Sequence, residues 1–86
     1  MTTVQKWTGR ETRMLRHALR MSIRDFAEHL GVSERTVSKW EAGRDAVQPR
    51  PEMQAALDTA LVRASDEAVA RFCQATATSL PALLLR

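Results

Sequence analysis

Four polar side chains between residues 34 and 39 recur at the spacing of one helical face. They are Glu34, Arg35, Ser38 and Lys39, and residues three or four apart lie on the same side of an α-helix. Their carboxylate, guanidinium, hydroxyl and ammonium groups can donate or accept hydrogen bonds. The pattern therefore predicts an exposed helix surface that binds a polar or charged partner.

The residues that usually carry catalysis or bind metals form no recognisable set. His17 and His29 have no cysteine or carboxylate partners at metal-ligand spacing. Cys73 has no neighbouring base that would activate its thiol, and no glycine-rich loop is present that could hold a phosphate. We therefore expect that the chain is not an enzyme and that it holds no metal and no cofactor.

Two short helices joined by a tight turn are predicted over residues 22–43. Ser22 and Ser33 are N-cap residue types, and Gly31 supplies the left-handed residue that ends the first helix. Gly43 is expected to end the second helix in the same way. The apolar residues that fall on the inner sides of these helices are Phe26, Ala27, Leu30, Val37 and Trp40.

A polar helix that follows a hydroxyl cap and a short glycine turn has the shape of a DNA recognition helix. The segment 20–43 resembles the helix-turn-helix of the phage repressor/Cro (XRE-like) family of bacterial and phage regulators. The resemblance extends more weakly over residues 10–61. The matching residues are Phe26-Ala27, Leu30-Gly31-Val32-Ser33, Val37 and Trp40-Glu41-Ala42-Gly43.

The resemblance implies an all-α fold, a compact lambda-repressor-like bundle of about five short helices with its helix-turn-helix at 22–43. It also implies that helix 33–42 lies in the major groove of double-stranded DNA, with five residues at the base edges: Ser33, Glu34, Arg35, Ser38 and Lys39. Arg35 and Lys39 can donate to guanine, and Glu34 can accept from cytosine. Glu34 has two alternative roles, which are a favourable interaction with the helix dipole and an ion pair with a nearby arginine.

The resemblance further implies contacts to DNA phosphates. The first motif helix presents free amides next to Ser22, and Arg24 adds a positive charge there. Family members often have glutamine where this chain has Ile23, so one usual phosphate contact is absent. The loop after the recognition helix commonly binds the DNA backbone, and Arg44 and Arg50 match that use. Alternatively, these are two ordinary surface arginines.

A further helix is predicted before the motif. Thr8 and Glu11 fit a capping box, so this helix should start near Gly9. The resemblance implies that Arg16 pairs with Glu41, which we expect to be a structural pair that holds the first helix against the recognition helix. The other arginines of the first helix are expected to be solvated.

Two helices are predicted after the motif. Pro51 suits the first turn of a fourth helix that runs to about Ala64. Ser65, followed by two acidic residues, marks the start of a fifth. One bent helix over residues 52–75 is the alternative.

The chain divides into a flexible N-terminus (residues 1–7, apart from Trp7), a helix-turn-helix domain (8–75) and an apolar tail (76–86). Pro81 interrupts any helix in the tail. The tail can fold back onto the core, contact a second subunit or bind a partner protein, because four leucines are too many to leave in water: Leu80, Leu83, Leu84 and Leu85.

Composition is ordinary for a folded domain, with 44% hydrophobic and 27% charged residues. Residues 1–50 hold ten Lys or Arg against six Asp or Glu, and residues 51–86 hold three against four. The positive excess therefore lies with the motif, which is compatible with nucleic-acid binding. A single cysteine, no apolar run that could span a membrane and no signal-peptide core lead us to expect a cytoplasmic protein.

Together these features predict a sequence-specific DNA-binding transcriptional regulator without a recognisable effector pocket. One half-site offers few contacts, so we expect a homodimer on a near-palindromic operator. Two alternatives remain. One is an antitoxin that binds both its operator and a toxin, which would use the apolar tail. The other is a protein-interaction module that keeps the fold without binding DNA.

Overall fold

The computed structural model describes residues 6–78, which form five α-helices. A 3₁₀ turn, Arg44–Ala46, follows the third helix. The predicted all-α bundle is confirmed over this part of the chain. The helices are α1 (Gly9–Ala18), α2 (Ile23–Leu30), α3 (Glu34–Gly43), α4 (Pro51–Arg63) and α5 (Asp66–Thr78). The leucines of the predicted apolar tail lie outside the described residues.

The helix starts follow the predicted caps. The Thr8 hydroxyl accepts the Arg10 N–H at 3.2 Å, and the Glu11 carboxylate accepts the Thr8 N–H at 2.9 Å, which completes the capping box of α1. The Ser22 hydroxyl caps α2, and the Ser33 hydroxyl caps α3. Each cap satisfies one backbone N–H that has no partner within its helix.

Helices α4 and α5 are separate. Ala64 has an extended backbone (ψ 155°), and the Ser65 hydroxyl accepts the Ala68 N–H at 3.1 Å. The alternative of one bent helix is therefore wrong. Helix α5 continues to Thr78 and so includes the first three residues of the predicted tail. Thr76 is accommodated because its hydroxyl donates to the Phe72 carbonyl at 3.1 Å, one turn earlier.

Two helices end in a left-handed residue, but only one of these residues is glycine. Gly31 ends α2 with φ 77°, as predicted. Arg20 takes the same role after α1 with φ 58°, and the Met21 N–H returns to the Arg16 carbonyl at 3.2 Å. This is the hydrogen bond of a Schellman motif. No glycine marks the end of α1, so the sequence carried no signal for it.

The prediction for Gly43 is wrong. Gly43 is the last residue of α3, with φ −80°, and the positive φ of 49° falls on Arg44. Gly43 is needed for a different reason. A Cβ atom there would lie 1.9 Å from Cγ2 of Val47, where the chain returns past the end of α3.

The core surrounds Trp7, which is fully buried. Its indole N–H donates to Asp58 at 2.8 Å, its backbone N–H donates to Gln54 at 2.7 Å, and its ring lies 5.6 Å from that of Phe72. Trp7 thus attaches the segment before α1 to α4 and α5. The other large buried residues are Leu15, Phe26, Val37, Trp40, Leu57, Leu61 and Phe72.

Helix α1 begins in direct backbone contact with the end of α3. A Cβ atom on Gly9 would lie 1.7 Å from the carbonyl oxygen of Trp40, so no larger residue fits. The Gly9 N–H donates to the Val47 carbonyl at 3.0 Å. These contacts fix the start of α1 against α3, the helix that carries the predicted recognition residues.

Candidate nucleic-acid interface

Helix α3 has one buried side and one exposed side. Val37 and Trp40 are buried against the core. All five residues predicted to lie at base edges are exposed on this helix or at its cap. We call them the α3 outer face, which consists of Ser33, Glu34, Arg35, Ser38 and Lys39.

The start of the α3 outer face is held by its cap. The Ser33 hydroxyl accepts the Thr36 N–H at 3.1 Å and lies 2.9 Å from the Thr36 hydroxyl. Glu34 occupies the first turn and is exposed. The ion pairs found within residues 6–78 do not include Glu34. An ion pair between Glu34 and a nearby arginine is therefore unsupported. The other two roles of Glu34, a favourable interaction with the helix dipole and a hydrogen bond to a base, both remain.

The four predicted phosphate contacts are exposed and lie at three places around the motif. Ser22 and Arg24 are at the start of α2, Arg44 directly follows α3, and Arg50 is the N-cap residue of α4. Arg24 approaches Glu28 at 3.9 Å, but both side chains are about three-quarters exposed. Such a pair contributes little to stability, so Arg24 can turn to another anion.

Arg16 and Glu41 join α1 to α3 through two hydrogen bonds. Nε of Arg16 donates to Oε2 of Glu41 at 2.7 Å, and Nη2 donates to Oε1 at 2.9 Å. Their side chains are only 14% and 10% exposed. Nη1 of Arg16 also donates to the Met21 carbonyl at 3.1 Å, just before α2. Arg16 of α1 thus contacts both α3 and the residue that precedes α2, the two helices of the helix-turn-helix motif.

Arg13 has a contact that the sequence did not predict. Its Nε lies 3.9 Å from Oε1 of Glu41, so two arginines of α1 approach the same carboxylate. The spacing of Arg13 and Arg16 places both on one side of α1. The three-residue spacing of these arginines was the signal in the sequence. It predicts a shared partner only once Glu41 is known to lie opposite this side of α1.

Arg44 has a strained backbone at the end of α3. Its φ of 49° and ψ of −128° lie in a region that residues with a side chain rarely adopt. Strain of this kind costs about 1–3 kcal/mol and persists only where the surrounding structure imposes it. Here the chain turns sharply so that Val47 packs closely against Gly43, and the positive φ falls on Arg44 between them.

Within residues 6–78, no three His, Cys, Asp or Glu side chains lie close enough together to hold a metal ion. None of the helices in this range has the length and hydrophobicity needed to cross a membrane.

The chain belongs to the helix-turn-helix domain family, which matches residues 7–85. This confirms the predicted resemblance. A stretch of 31 residues is 58% identical to a protein of Methanoculleus marisnigri, provisionally named an HTH-type transcriptional regulatory protein. The stretch is 36% of this chain and 10% of that protein, so the chain spans only a small part of that relative. No solved structure matches the chain.

We predict that the Arg16–Glu41 pair is strongly coupled. Arg16→Met and Glu41→Leu each leave one largely buried charge without its main partner, and we expect each to cost up to the roughly 3–5 kcal/mol typical of a broken buried pair. The double variant removes both charges and should lose much less than the sum of the two single variants. Equilibrium unfolding in urea measures all four free energies.

The exposed pair Arg24 and Glu28 provides the control for this cycle. Arg24→Met and Glu28→Leu should each change stability by less than about 1 kcal/mol, with little coupling. Additive losses for Arg16 and Glu41 would contradict a coupled buried pair.

We also predict that Arg44→Gly is more stable than Arg44→Ala. Both variants lose the guanidinium, but only glycine adopts the positive φ without strain, which is worth about 1 kcal/mol. The comparison requires only the urea midpoints of the two variants. Equal midpoints, or a higher midpoint for alanine, would show that Arg44 is not strained in solution.

Proposed function

We propose that this chain is a sequence-specific, double-stranded DNA-binding transcriptional regulator that places α3 in the major groove. The observation that carries the proposal is the α3 outer face, a set of exposed hydrogen-bonding residues on the second helix of a helix-turn-helix. Membership of the helix-turn-helix domain family supports it. The short match to a protein named as a transcriptional regulator supports a regulatory role.

The α3 outer face would supply base discrimination. Arg35 and Lys39 would donate to O6 and N7 of guanine, and Glu34 would accept from N4 of cytosine. Ser33 and Ser38 would contribute shorter hydrogen bonds beside them. Each good pairing is worth about 1–3 kcal/mol of discrimination against the wrong base.

The four exposed residues around the motif would supply phosphate contacts. Free amides at the start of α2 would bind one phosphate beside Ser22, and Arg24, Arg44 and Arg50 would add positive charge. Such contacts fix the orientation of the protein on the duplex without reading its sequence. Their contribution to affinity falls as the salt concentration rises.

A homodimer on a near-palindrome would double the contacts of one half-site, with the half-sites about one turn of DNA apart. The antitoxin alternative depends on the apolar tail, whose leucines lie outside the described residues. The alternative of a protein-interaction module that does not bind DNA is one outcome of the experiment below. The exposed positive charge around α3 favours DNA binding, which the regulator and the antitoxin share, over the protein-interaction module.

The test is selection of duplexes from a random pool by the purified chain. We expect a near-palindromic consensus. Arg35→Ala and Lys39→Ala should each relax the preference at particular base positions, by about 1–3 kcal/mol in competition titrations. Arg63→Ala is the matched control, because Arg63 is an exposed arginine at the far end of α4. It should select the same consensus as the unchanged chain.

Titration of the selected duplex at two salt concentrations separates specific from general binding. Specific binding should remain much tighter than binding to random DNA at both. Weak binding with a steep salt slope and no consensus would mean attraction to phosphates alone. No binding above background, unchanged by Arg35→Ala and Lys39→Ala, would support the protein-interaction alternative and contradict the proposal.

A further inference from the structure

A groove of about 620 Å³ lies between α1, the end of α3 and α5, and no residue of the α3 outer face lines it. We call it the α1–α5 groove. Its apolar lining comes from Met14 and Ala18 of α1 and from Ala75 of α5. Sites that bind small organic molecules are typically cavities of roughly 300–1,000 Å³ with mostly apolar linings. The α1–α5 groove therefore has the size of a small-molecule site.

The charged residues around this apolar lining are mostly basic. Four arginines line the groove: Arg10 and Arg13 of α1, Arg44 after α3, and Arg71 of α5. Nε of Arg71 donates to the Ala18 carbonyl at 2.9 Å, which holds this guanidinium beside the apolar lining. Three separate elements thus bring positive charge to one cavity.

The acidic residues of the groove offset only part of this charge. Glu41 lines the groove, but its carboxylate is hydrogen-bonded by Arg16, which does not line it, and its contact with Arg13 is longer, at 3.9 Å. Asp45 is 69% exposed and lies 3.8 Å from Arg10, a distance at which an exposed pair interacts weakly. The groove retains a positive excess beside apolar surface.

From this combination we propose that the α1–α5 groove binds a small organic anion with an apolar body. The body would contact Met14, Ala18 and Ala75, and the carboxylate, sulfonate or phosphate group would accept hydrogen bonds from the surrounding arginines. Guanidinium groups suit such anions because their N–H donors match a pair of anionic oxygens. The volume of the groove, about 620 Å³, suits a small molecule.

Binding in the groove would also affect DNA recognition. Arg44 lines the groove and is one of the proposed phosphate contacts. An anion that engages its guanidinium would remove that charge from the DNA backbone. The groove site does not depend on the proposed function, but this effect on DNA binding rests on it. The effect would make DNA binding by the chain responsive to a small molecule.

The test uses two fluorescent probes with nearly the same aromatic body. Anilinonaphthalenesulfonate carries a sulfonate, and phenylnaphthylamine is neutral. In the absence of DNA we expect saturable binding of one sulfonate probe per chain, about tenfold tighter than the neutral probe. Arg13→Gln should weaken binding of the sulfonate probe several-fold. Ala75→Trp should abolish binding of this probe, because the larger side chain fills the groove.

Arg63→Gln is the control, because Arg63 does not line the groove, and it should leave probe binding unchanged. Each variant must first show cooperative unfolding, since partly unfolded chains also bind such dyes. Equal affinity for both probes would overturn the proposed anion site. Sulfonate binding that survives both Arg13→Gln and Ala75→Trp would overturn it as well.

A separate titration tests the link to DNA. Saturating sulfonate probe should weaken binding of the selected duplex in the unchanged chain but not in Ala75→Trp. Probe binding without any change in DNA affinity would contradict the link and leave the groove site intact. If no duplex is selected, the proposed function is contradicted instead. The probe titrations made without DNA would still decide whether the groove binds an anion.

Discussion

The partly buried ion pair between Arg16 and Glu41 joins α3 to α1 and constrains where α3 lies. A carboxylate that is only 10% exposed needs a cation with suitable geometry, and Arg16 supplies two hydrogen bonds to it. The same guanidinium binds the Met21 carbonyl before α2. At the start of α1, Gly9 lies too close to the Trp40 carbonyl for any side chain. Together these contacts hold α1, α2 and α3 in one arrangement.

This arrangement explains how a small domain can present a fixed binding surface. Val37 and Trp40 bury one side of α3, so the α3 outer face is displayed at constant orientation. Preorganised side chains lose less freedom when they bind, which leaves more of the interaction energy for affinity. The strain at Arg44 is a cost of the sharp turn after α3, and that turn carries a basic residue to the edge of the proposed interface.

Features determined by neighbouring residues could be predicted from the sequence. The caps at Thr8, Ser22 and Ser33 and the turn at Gly31 depend on a few adjacent residues, and all four occur as expected. Features that depend on distant segments could not be predicted from local patterns, and the Arg16–Glu41 pair was expected only through the family resemblance. Gly43 was assigned a positive φ, but contact with Val47 explains its presence. The groove was missed because its arginines come from α1, the end of α3 and α5, which meet only in the folded chain.

Methylation interference on the selected duplex would show whether α3 reads base edges in the major groove. Dimethyl sulfate methylates guanine at N7 in the major groove and adenine at N3 in the minor groove. Methylated guanines within each half-site should prevent binding, since N7 is a proposed acceptor for Arg35 and Lys39. Binding that tolerates guanine methylation throughout, or that is blocked only by adenine methylation, would contradict base reading by α3.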